Sequence, residues 1–406
     1  MTRSGVRFSM NANTKGSKVK WNRIWPAAVV AATVMGACNG DLTVSQPPGS
    51  DPADSRTPVI ERTVFLSGLS NPWDMQFLPN GELLFTERAG RVRLRRTNGA
   101  VVQVAQISDV VASGEGGLLG LTLDRDFASN RLVYTCFSSN RGGANDNRIV
   151  RWRLADDGAS LESRTDIVTG LPWGSNGRHS GCRPRFGPDG FLWVGTGDAA
   201  NGTNPQNLAS LGGKTLRLTR DGAAAPGNPT IVVNGTTADR RIYTYGHRNV
   251  QGVAFRPSDG AVFVTEHGPS FDDEATRLTA GANAGWNPVP GYNESVPMTD
   301  LVRYPDAMRP VWKSGAPARG VSGATFITGQ TWGSWNGALA IAQLVGAKLV
   351  VLVFNTDGSV KSETNLFADQ GTRLRVPVMG PDGALYIATD VGGGNGAIWR
   401  VVPRAP

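Results

Sequence analysis

The chain has 406 residues, including 52 glycines and 25 prolines, and its lack of long helical periodicity excludes a helical bundle and indicates a turn-rich β protein. Its formal net charge is +8, but six of the positive charges, and no acidic residue, lie before residue 38. Subtracting those six leaves about +2 for the remainder, which gives no basis for a nucleic-acid-binding surface.

The first 37 residues have the layout of a secretory signal. Six basic residues precede an apolar run over residues 25–37, which is shorter than the roughly 20 residues that a permanent membrane-spanning helix needs. Small residues close the run directly before Cys38, an arrangement that resembles a bacterial lipoprotein signal. We therefore predict export, with a lipid on Cys38 as the only membrane attachment; plain secretion is the alternative.

Residues 38–58 lack an apolar period and are expected to form a flexible tether, which leaves residues 59–406 as one folded domain. Within that domain one unit recurs, in which a tight glycine-containing turn leads into an apolar strand. Its four copies lie in residues 78–87, 177–198, 256–268 and 380–390.

Short strands dominate the predicted secondary structure. In the first half of the domain they are expected at residues 83–85, 91–94, 101–104, 118–123, 132–137, 149–154 and 191–194. Short strands with internal repetition predict a sandwich or a radial β fold. Polar insertions at 138–147, 199–210 and 285–320 space the repeats unevenly, which favours a propeller whose loops build a site on one face.

Besides Cys38, the chain contains two cysteines, Cys136 and Cys182. In an oxidising compartment an even pair is expected to form a disulfide, which would join the loop around His179 to a neighbouring strand. Two buried reduced thiols are the alternative. The spacing of the cysteines does not match a zinc site.

The three histidines, His179, His247 and His267, all fall in polar, glycine-rich loops beside apolar strands. Histidine can accept a proton near neutral pH without a large pKa shift, so a catalytic role and a structural one are both open. Arg248 stands between His247 and the amide of Asn249, a combination suited to a ligand with carboxylate or quinone oxygens. Capping of backbone carbonyls is the alternative role for this arginine.

Two further clusters could bind a ligand. Carboxylates at residues 272–274 follow Gly268 and Pro269, and such a group offers a weak signal for a hard cation such as Ca²⁺. Arg373 and Arg375 alternate along a predicted strand, which places both guanidinium groups on the same side.

These residues together resemble the soluble quinoprotein glucose/sorbosone dehydrogenases, also called aldose sugar dehydrogenases. The resemblance runs from about residue 66 to residue 402 and rests on motifs at residues 68–74, 114–120, 177–198, 211–214, 246–252, 266–269, 281–286 and 373–375. It implies an all-β, six-bladed propeller of four-stranded antiparallel blades. It also implies two cofactors, pyrroloquinoline quinone (PQQ) and Ca²⁺, an aldose substrate and an electron acceptor that the sequence does not identify.

The resemblance assigns roles to individual residues. His179 would be the general base, and Arg248 would place positive charge beside the reacting quinone oxygens. The remaining cofactor ligands would be Asn249, Arg373 and Arg375 for PQQ and the carbonyl groups of Gly268 and Pro269 for Ca²⁺.

Four positions depart from the glucose-oxidising pattern. Glu115 and Arg178 fall at positions that contact the substrate, and His267 replaces a common glutamine. Val345 stands where a PQQ-binding lysine would align, so one positive charge beside the cofactor is lost unless Lys348 reaches the site. The sequence therefore predicts an exported PQQ-dependent aldose dehydrogenase. Two alternatives are a propeller that binds carbohydrate or protein without catalysis, and a Ca²⁺-dependent lactonase or hydrolase with carboxylates at its central channel.

Overall fold

The computed structural model describes residues 56–404. The expected signal, Cys38 and all but the last three residues of the expected tether lie outside this range. Within it, no helix has both the length and the apolar character needed to cross a bilayer. The helical segments there are α1 (Phe127–Asn130) and the 3₁₀ turns Ser175–Gly177, Gln330–Trp335 and Ala368–Gln370.

Strands account for most of the regular structure. The first thirteen are β1 (Ile60–Leu69), β2 (Pro72–Phe77), β3 (Leu83–Glu87), β4 (Arg91–Arg95), β5 (Val101–Gln106), β6 (Leu118–Leu123), β7 (Leu132–Ser139), β8 (Asp146–Leu154), β9 (Leu161–Leu171), β10 (Gly181–Phe186), β11 (Leu192–Thr196), β12 (Lys214–Leu218) and β13 (Val232–Val233). The others are β14 (Thr236–Thr237), β15 (Ile242–Tyr245), β16 (Val250–Phe255), β17 (Val262–Glu266), β18 (Glu274–Arg277), β19 (Trp312–Lys313), β20 (Val321–Phe326), β21 (Leu339–Gln343), β22 (Leu349–Phe354), β23 (Val360–Leu366), β24 (Leu374–Met379), β25 (Leu385–Thr389) and β26 (Gly396–Pro403).

These strands form six four-stranded antiparallel blades and one small hairpin, β13–β14. Five blades are β2–β5, β6–β9, β10–β12 with β15, β16–β19 and β20–β23. The sixth joins β24–β26 to β1, so that the start of the domain pairs with its end. The innermost strands β2, β6, β10, β16, β20 and β24 contact one another in turn and close a ring. The predicted six-bladed propeller is therefore confirmed.

The recurring turns join the first and second strands of four blades. The glycine of each turn, Gly81, Gly190, Gly260 or Gly383, has φ between 71° and 83°, the left-handed region that glycine adopts without strain. All four turns lie at the end of the ring where the innermost strands finish. In the first half of the domain, β1, β2, β9, β10 and β12 were not among the predicted strands. Strand β10 contains Arg183, Pro184 and Arg185, so its sequence lacks the apolar character of a buried strand.

Candidate active site

A cavity of about 200 Å³ lies where the innermost strands begin, at the other end of the ring from the four turns. Four of its lining residues stand at the start of innermost strands: Trp73, Leu119, Gln251 and Arg375. Loops add the lining residues Arg88, Gly114, Glu115, Ser180, His267, Leu344, Val345, Arg373 and Asp390. The cavity thus has an apolar wall and several guanidinium groups.

His179 lies directly before Ser180 of the cavity wall and is 3% exposed. Its φ of 55° is in the left-handed region, a strained conformation for a residue other than glycine. The backbone of His179 passes so close to Gly197 that a Cβ there would lie 1.8 Å from the His179 carbonyl oxygen. The fold therefore fixes the histidine by close backbone packing as well as by side-chain contacts.

The imidazole of His179 is oriented through one nitrogen. Its Nδ1 lies 2.8 Å from Asp198 Oδ1 and 2.9 Å from the hydroxyl of Tyr292. Among residues 56–404, Nε2 has no hydrogen-bond partner. Because a carboxylate only accepts hydrogen bonds, Asp198 favours the tautomer with the proton on Nδ1, which leaves a lone pair on Nε2.

Asp198 is fully buried and accepts several hydrogen bonds besides that of the histidine. The Trp286 indole and the Tyr292 hydroxyl donate to its Oδ2 over 2.9 and 2.7 Å, and the Ala200 N–H donates to Oδ1 over 2.8 Å. Burial raises the pKa of the Tyr292 hydroxyl, and the charge of Asp198 raises it further. Tyr292 therefore stays protonated and donates to the carboxylate.

Arg248 is 3% exposed and is held by two acceptors. Its Nη1 donates to the His267 carbonyl oxygen over 2.7 Å, and its Nη2 donates to Glu294 Oε1 over 2.5 Å. Arg178 also donates to Glu294, over 2.8 Å to each oxygen. Burial alone would raise the pKa of Glu294, but the hydrogen bonds from Arg248 and Arg178 outweigh it and lower that pKa. An ionised Glu294 thus joins the two arginines, and Arg248 in turn bonds to the carbonyl group of the cavity residue His267.

Arg373 and Arg375 lie on the same side of the chain, because both bind one oxygen of Asp390. The distances to Asp390 Oδ2 are 3.1 Å from Arg373 Nη2 and 2.8 Å from Arg375 Nη2. The buried Arg375 guanidinium lies 5.3 Å from the Trp73 ring, and its Nε has no hydrogen-bond partner among residues 56–404. Burial would raise the pKa of Asp390, but Arg375 and Arg373 lower it, so this carboxylate is ionised.

The other two histidines differ from His179. Both ring nitrogens of the fully buried His247 are occupied, Nδ1 by Glu266 at 2.6 Å and Nε2 by Thr244 at 2.8 Å, so its role is structural. His267 lines the cavity, and its Nδ1 lies 2.7 Å from the Gly268 carbonyl oxygen. Asn249 uses its side-chain oxygen to accept the Gly181 N–H at the start of β10, over 3.1 Å.

The carboxylates at residues 272–274 do not form a shared cation site. Asp272 and Glu274 each lie 3.2 Å from Lys313 Nζ, whereas Asp273 accepts the backbone N–H groups of Gly268 and Arg319 over 2.8 and 2.6 Å. Within the described range, no three side chains of His, Cys, Asp or Glu are grouped as metal ligands. Lysine and backbone donors therefore already pair these carboxylates, and a Ca²⁺ site that includes them stays a prediction.

Cys136 and Cys182 are joined in a disulfide, with their Cα atoms 5.3 Å apart. The bond links β7 to β10 three residues beyond His179. It therefore connects two neighbouring blades beside the candidate site.

The sequence prediction missed the acidic partners of the site, although a signal for them existed. In four blades a threonine at the last or next-to-last position of the second strand is followed within two residues by an acid: Glu87, Asp198, Glu266 and Asp390. Each acid bonds to the segment that precedes or begins the first strand of its own blade. No comparable signal marked Tyr292 and Glu294, which lie in the insertion between β18 and β19. This insertion runs back beside β15, where the Ala284 N–H donates to the Tyr245 carbonyl oxygen over 2.7 Å.

Comparisons with known proteins agree with this architecture. The family model described as Glucose / Sorbosone dehydrogenase matches residues 69–400. Aldose sugar dehydrogenase YliI of Escherichia coli is 33% identical over 345 residues, or 83% of this chain and 91% of that protein. A solved glucose dehydrogenase has a TM-score of 0.77 at 34% identity, covering 85% of this chain and 100% of that chain. A PQQ-bound aldose sugar dehydrogenase from Streptomyces coelicolor has a TM-score of 0.69 at 29% identity, covering 86% and 100%.

Proposed function

The chain belongs to the glucose/sorbosone dehydrogenase family, and we propose that it oxidises the C1 hydroxyl of aldose sugars to lactones with PQQ as cofactor and His179 as general base. It is thus an oxidoreductase that acts on sugar CH–OH groups. The oxidation removes a proton from the hydroxyl and a hydride from C1. An exported enzyme would pass the two electrons on to an external acceptor.

The observation that carries this proposal is the pairing of His179 with Asp198. The carboxylate accepts from Nδ1 over 2.8 Å, which leaves Nε2 able to take the hydroxyl proton. Once the imidazole is protonated, the same carboxylate stabilises its positive charge. A positioned base of this kind contributes roughly 10² to 10⁴ in rate.

The cavity residues fit a planar polyanion such as PQQ. Two buried polar atoms on its wall, Arg375 Nε and Gln251 Oε1, have no hydrogen-bond partner in the part of the chain that the structure describes, and Arg373 adds a second guanidinium group. Trp73 and Leu119 offer an apolar surface for a ring system. When bound, PQQ supplies a two-electron acceptor for the hydride. Val345 contributes no charge, so Arg373 and Arg375 would be the main holders of its carboxylates, with Asn249 nearby.

Positive charge next to the acceptor would come from Arg248, which stays buried and ordered between the His267 carbonyl and Glu294. Its Nε is a buried donor without a partner in the described chain. The carbonyl groups of Gly268 and Pro269 are the proposed Ca²⁺ ligands. The Gly268 carbonyl oxygen already lies 2.7 Å from His267 Nδ1, which leaves one lone pair for a cation.

Glu115 and Arg178 are the proposed substrate contacts at the mouth. Glu115 Oε2 accepts the His179 N–H over 3.1 Å, so it lies beside the proposed base. The hydrolase alternative has less support, because Asp74 on the innermost strand β2 is bound by Arg183 and Arg185 at 3.0 and 2.7 Å, and Asp390 of the cavity wall is bound by Arg373 and Arg375.

Titration of the apo protein with PQQ and Ca²⁺ tests the proposal. We expect a rise in thermal stability on binding, and dye reduction that depends on an added aldose. Because Val345 lacks the expected charge, PQQ should be raised well above the concentrations that relatives need. Absence of both effects at saturation would favour a propeller that binds sugar or protein without catalysis.

A further inference from the structure

Lys214 is a fully buried lysine that makes no ion pair within residues 56–404. Its Nζ donates to three backbone carbonyl oxygens, those of Asn204 and Gly212 over 2.7 Å and that of Pro205 over 3.1 Å. Burial lowers the pKa of this amine to about 7, and the charge of Asp198 opposes the shift. Three carbonyl acceptors favour the ammonium form, because a neutral amine has only two N–H donors.

The three carbonyls belong to one long loop, residues 197–213, which connects β11 to β12. Connections of that length without regular structure are uncommon in compact domains and need their own stabilisation. The loop folds back on itself, so that residues 204, 205 and 212 surround one point. The ammonium group of Lys214 occupies that point, as a bound monovalent cation would.

The same loop holds both halves of the proposed active site. The Asn204 side chain donates to the Asp198 carbonyl oxygen over 2.9 Å, next to the carboxylate that orients the proposed base. On the other side, the Gly246 N–H donates to Pro205 over 2.9 Å and the His247 N–H donates to Gly213 over 3.1 Å. These two bonds fix the segment that leads into Arg248.

We propose that Lys214 is a positioning residue, an internal cation around which loop 197–213 folds so that Asp198 and Arg248 are held in their working positions. The catalytic part of this inference rests on the proposed function. The structural part does not, because the cage consists of the chain's own carbonyl groups around the Lys214 ammonium group. If the Lys214 side chain is removed, the three carbonyl groups should bind a cation with N–H donors more tightly than a cation without them.

The cage can be tested with Lys214→Ala and n-propylammonium, which replaces the atoms that the substitution removes. No PQQ or sugar is needed. We expect a lowered melting temperature for Lys214→Ala, and recovery of about 3 °C or more in n-propylammonium relative to tetramethylammonium at equal ionic strength. Tetramethylammonium has the same charge but no N–H donor. Wild type and Val350→Ala, a core cavity in a distant blade, should show no difference between the two salts.

If Lys214→Ala folds poorly, its refolding yield in the two salts provides the same comparison. Equal melting temperatures or equal refolding yields of Lys214→Ala in the two salts would refute the proposed cation-binding role of the three carbonyl groups. That result does not depend on whether the protein is a dehydrogenase.

The positioning role is tested separately with Lys214→Met and PQQ-loaded protein. We expect kcat to fall roughly 10- to 100-fold, with the KM for sugar and the affinity for PQQ unchanged, since a small misplacement of the proton-transfer groups is enough. Lys361→Met, on an exposed outer strand, is the matched control. A wild-type kcat in Lys214→Met would refute positioning, whereas an inactive wild type would refute the proposed function and leave the cage result standing.

Discussion

Replacement of Asp198 by asparagine should disable the proposed base without removing it. The amide can donate to Nδ1 of His179, which would favour the tautomer with the proton on Nε2 and block proton acceptance. We expect kcat to fall roughly 10² to 10⁴-fold, the range attributed to a positioned base. The affinity for PQQ should change little, because none of the proposed PQQ ligands bonds to this side chain.

The substitution also has a structural cost that must be separated from the catalytic one. The groups that now donate to Asp198 are the Ala200 N–H, the Trp286 indole and the Tyr292 hydroxyl. The amide nitrogen of asparagine cannot accept a hydrogen bond, so at least one of these buried donors would lose its partner, at a cost of about 1–3 kcal/mol. Glu87→Gln is the matched control, since Glu87 is the corresponding acid of another blade and binds the Ser70 N–H over 2.6 Å.

The assay is sugar-dependent dye reduction at saturating PQQ and Ca²⁺, with the melting temperature measured on the same samples. Both variants should lose stability, but only Asp198→Asn should lose turnover. If Asp198→Asn keeps kcat within about threefold of wild type, a range well below the contribution of a positioned base, the tautomer argument fails.

Three further predictions concern the cofactor site, the disulfide and pH. Arg373→Ala should weaken PQQ binding itself, since it removes a charged partner of a polyanion; equal binding by isothermal titration would contradict this. Unfolded, unreduced protein should show no free thiol from Cys136 or Cys182 in a thiol titration. Burial raises the pKa of Glu274 to about 7 from 4.5, with Lys313 opposing. The stability that the protonated Glu274 contributes is complete below pH 4.5 and is lost as the pH rises through 7. Over that interval the unfolding free energy of the wild type should fall by about 3 kcal/mol relative to that of Glu274→Gln, as measured by urea denaturation.

Local signals in the sequence predicted much of the fold. The recurring turns marked four of the six junctions between first and second strands, because their glycines must adopt positive φ. The number of blades came from the family resemblance, since the ring is closed by pairing β1 with β26, a contact that no local pattern reveals. Strand β10 was missed for a related reason: its arginines face an acid, Asp74, supplied by another blade.

The candidate site was predicted in part. The structure places His179 directly before Ser180 of the cavity wall and bonds Arg248 to the carbonyl group of His267, while their catalytic roles stay predictions. Arg373 and Arg375 do share one side of the chain. Their acidic partners depend on tertiary contacts, and Glu294 reaches Arg248 from an insertion whose path strand periodicity does not indicate.

We propose that His179 accepts the hydroxyl proton of a sugar oxidised with PQQ, and the variant His179→Gln removes that proton acceptor. PQQ binding should be measured first by titration of the apo variant with Ca²⁺ present, and sugar-dependent reduction should follow on the loaded protein. We expect wild-type affinity for PQQ and a loss of turnover of roughly 10² to 10⁴-fold. Turnover at the wild-type rate by PQQ-loaded His179→Gln would contradict it.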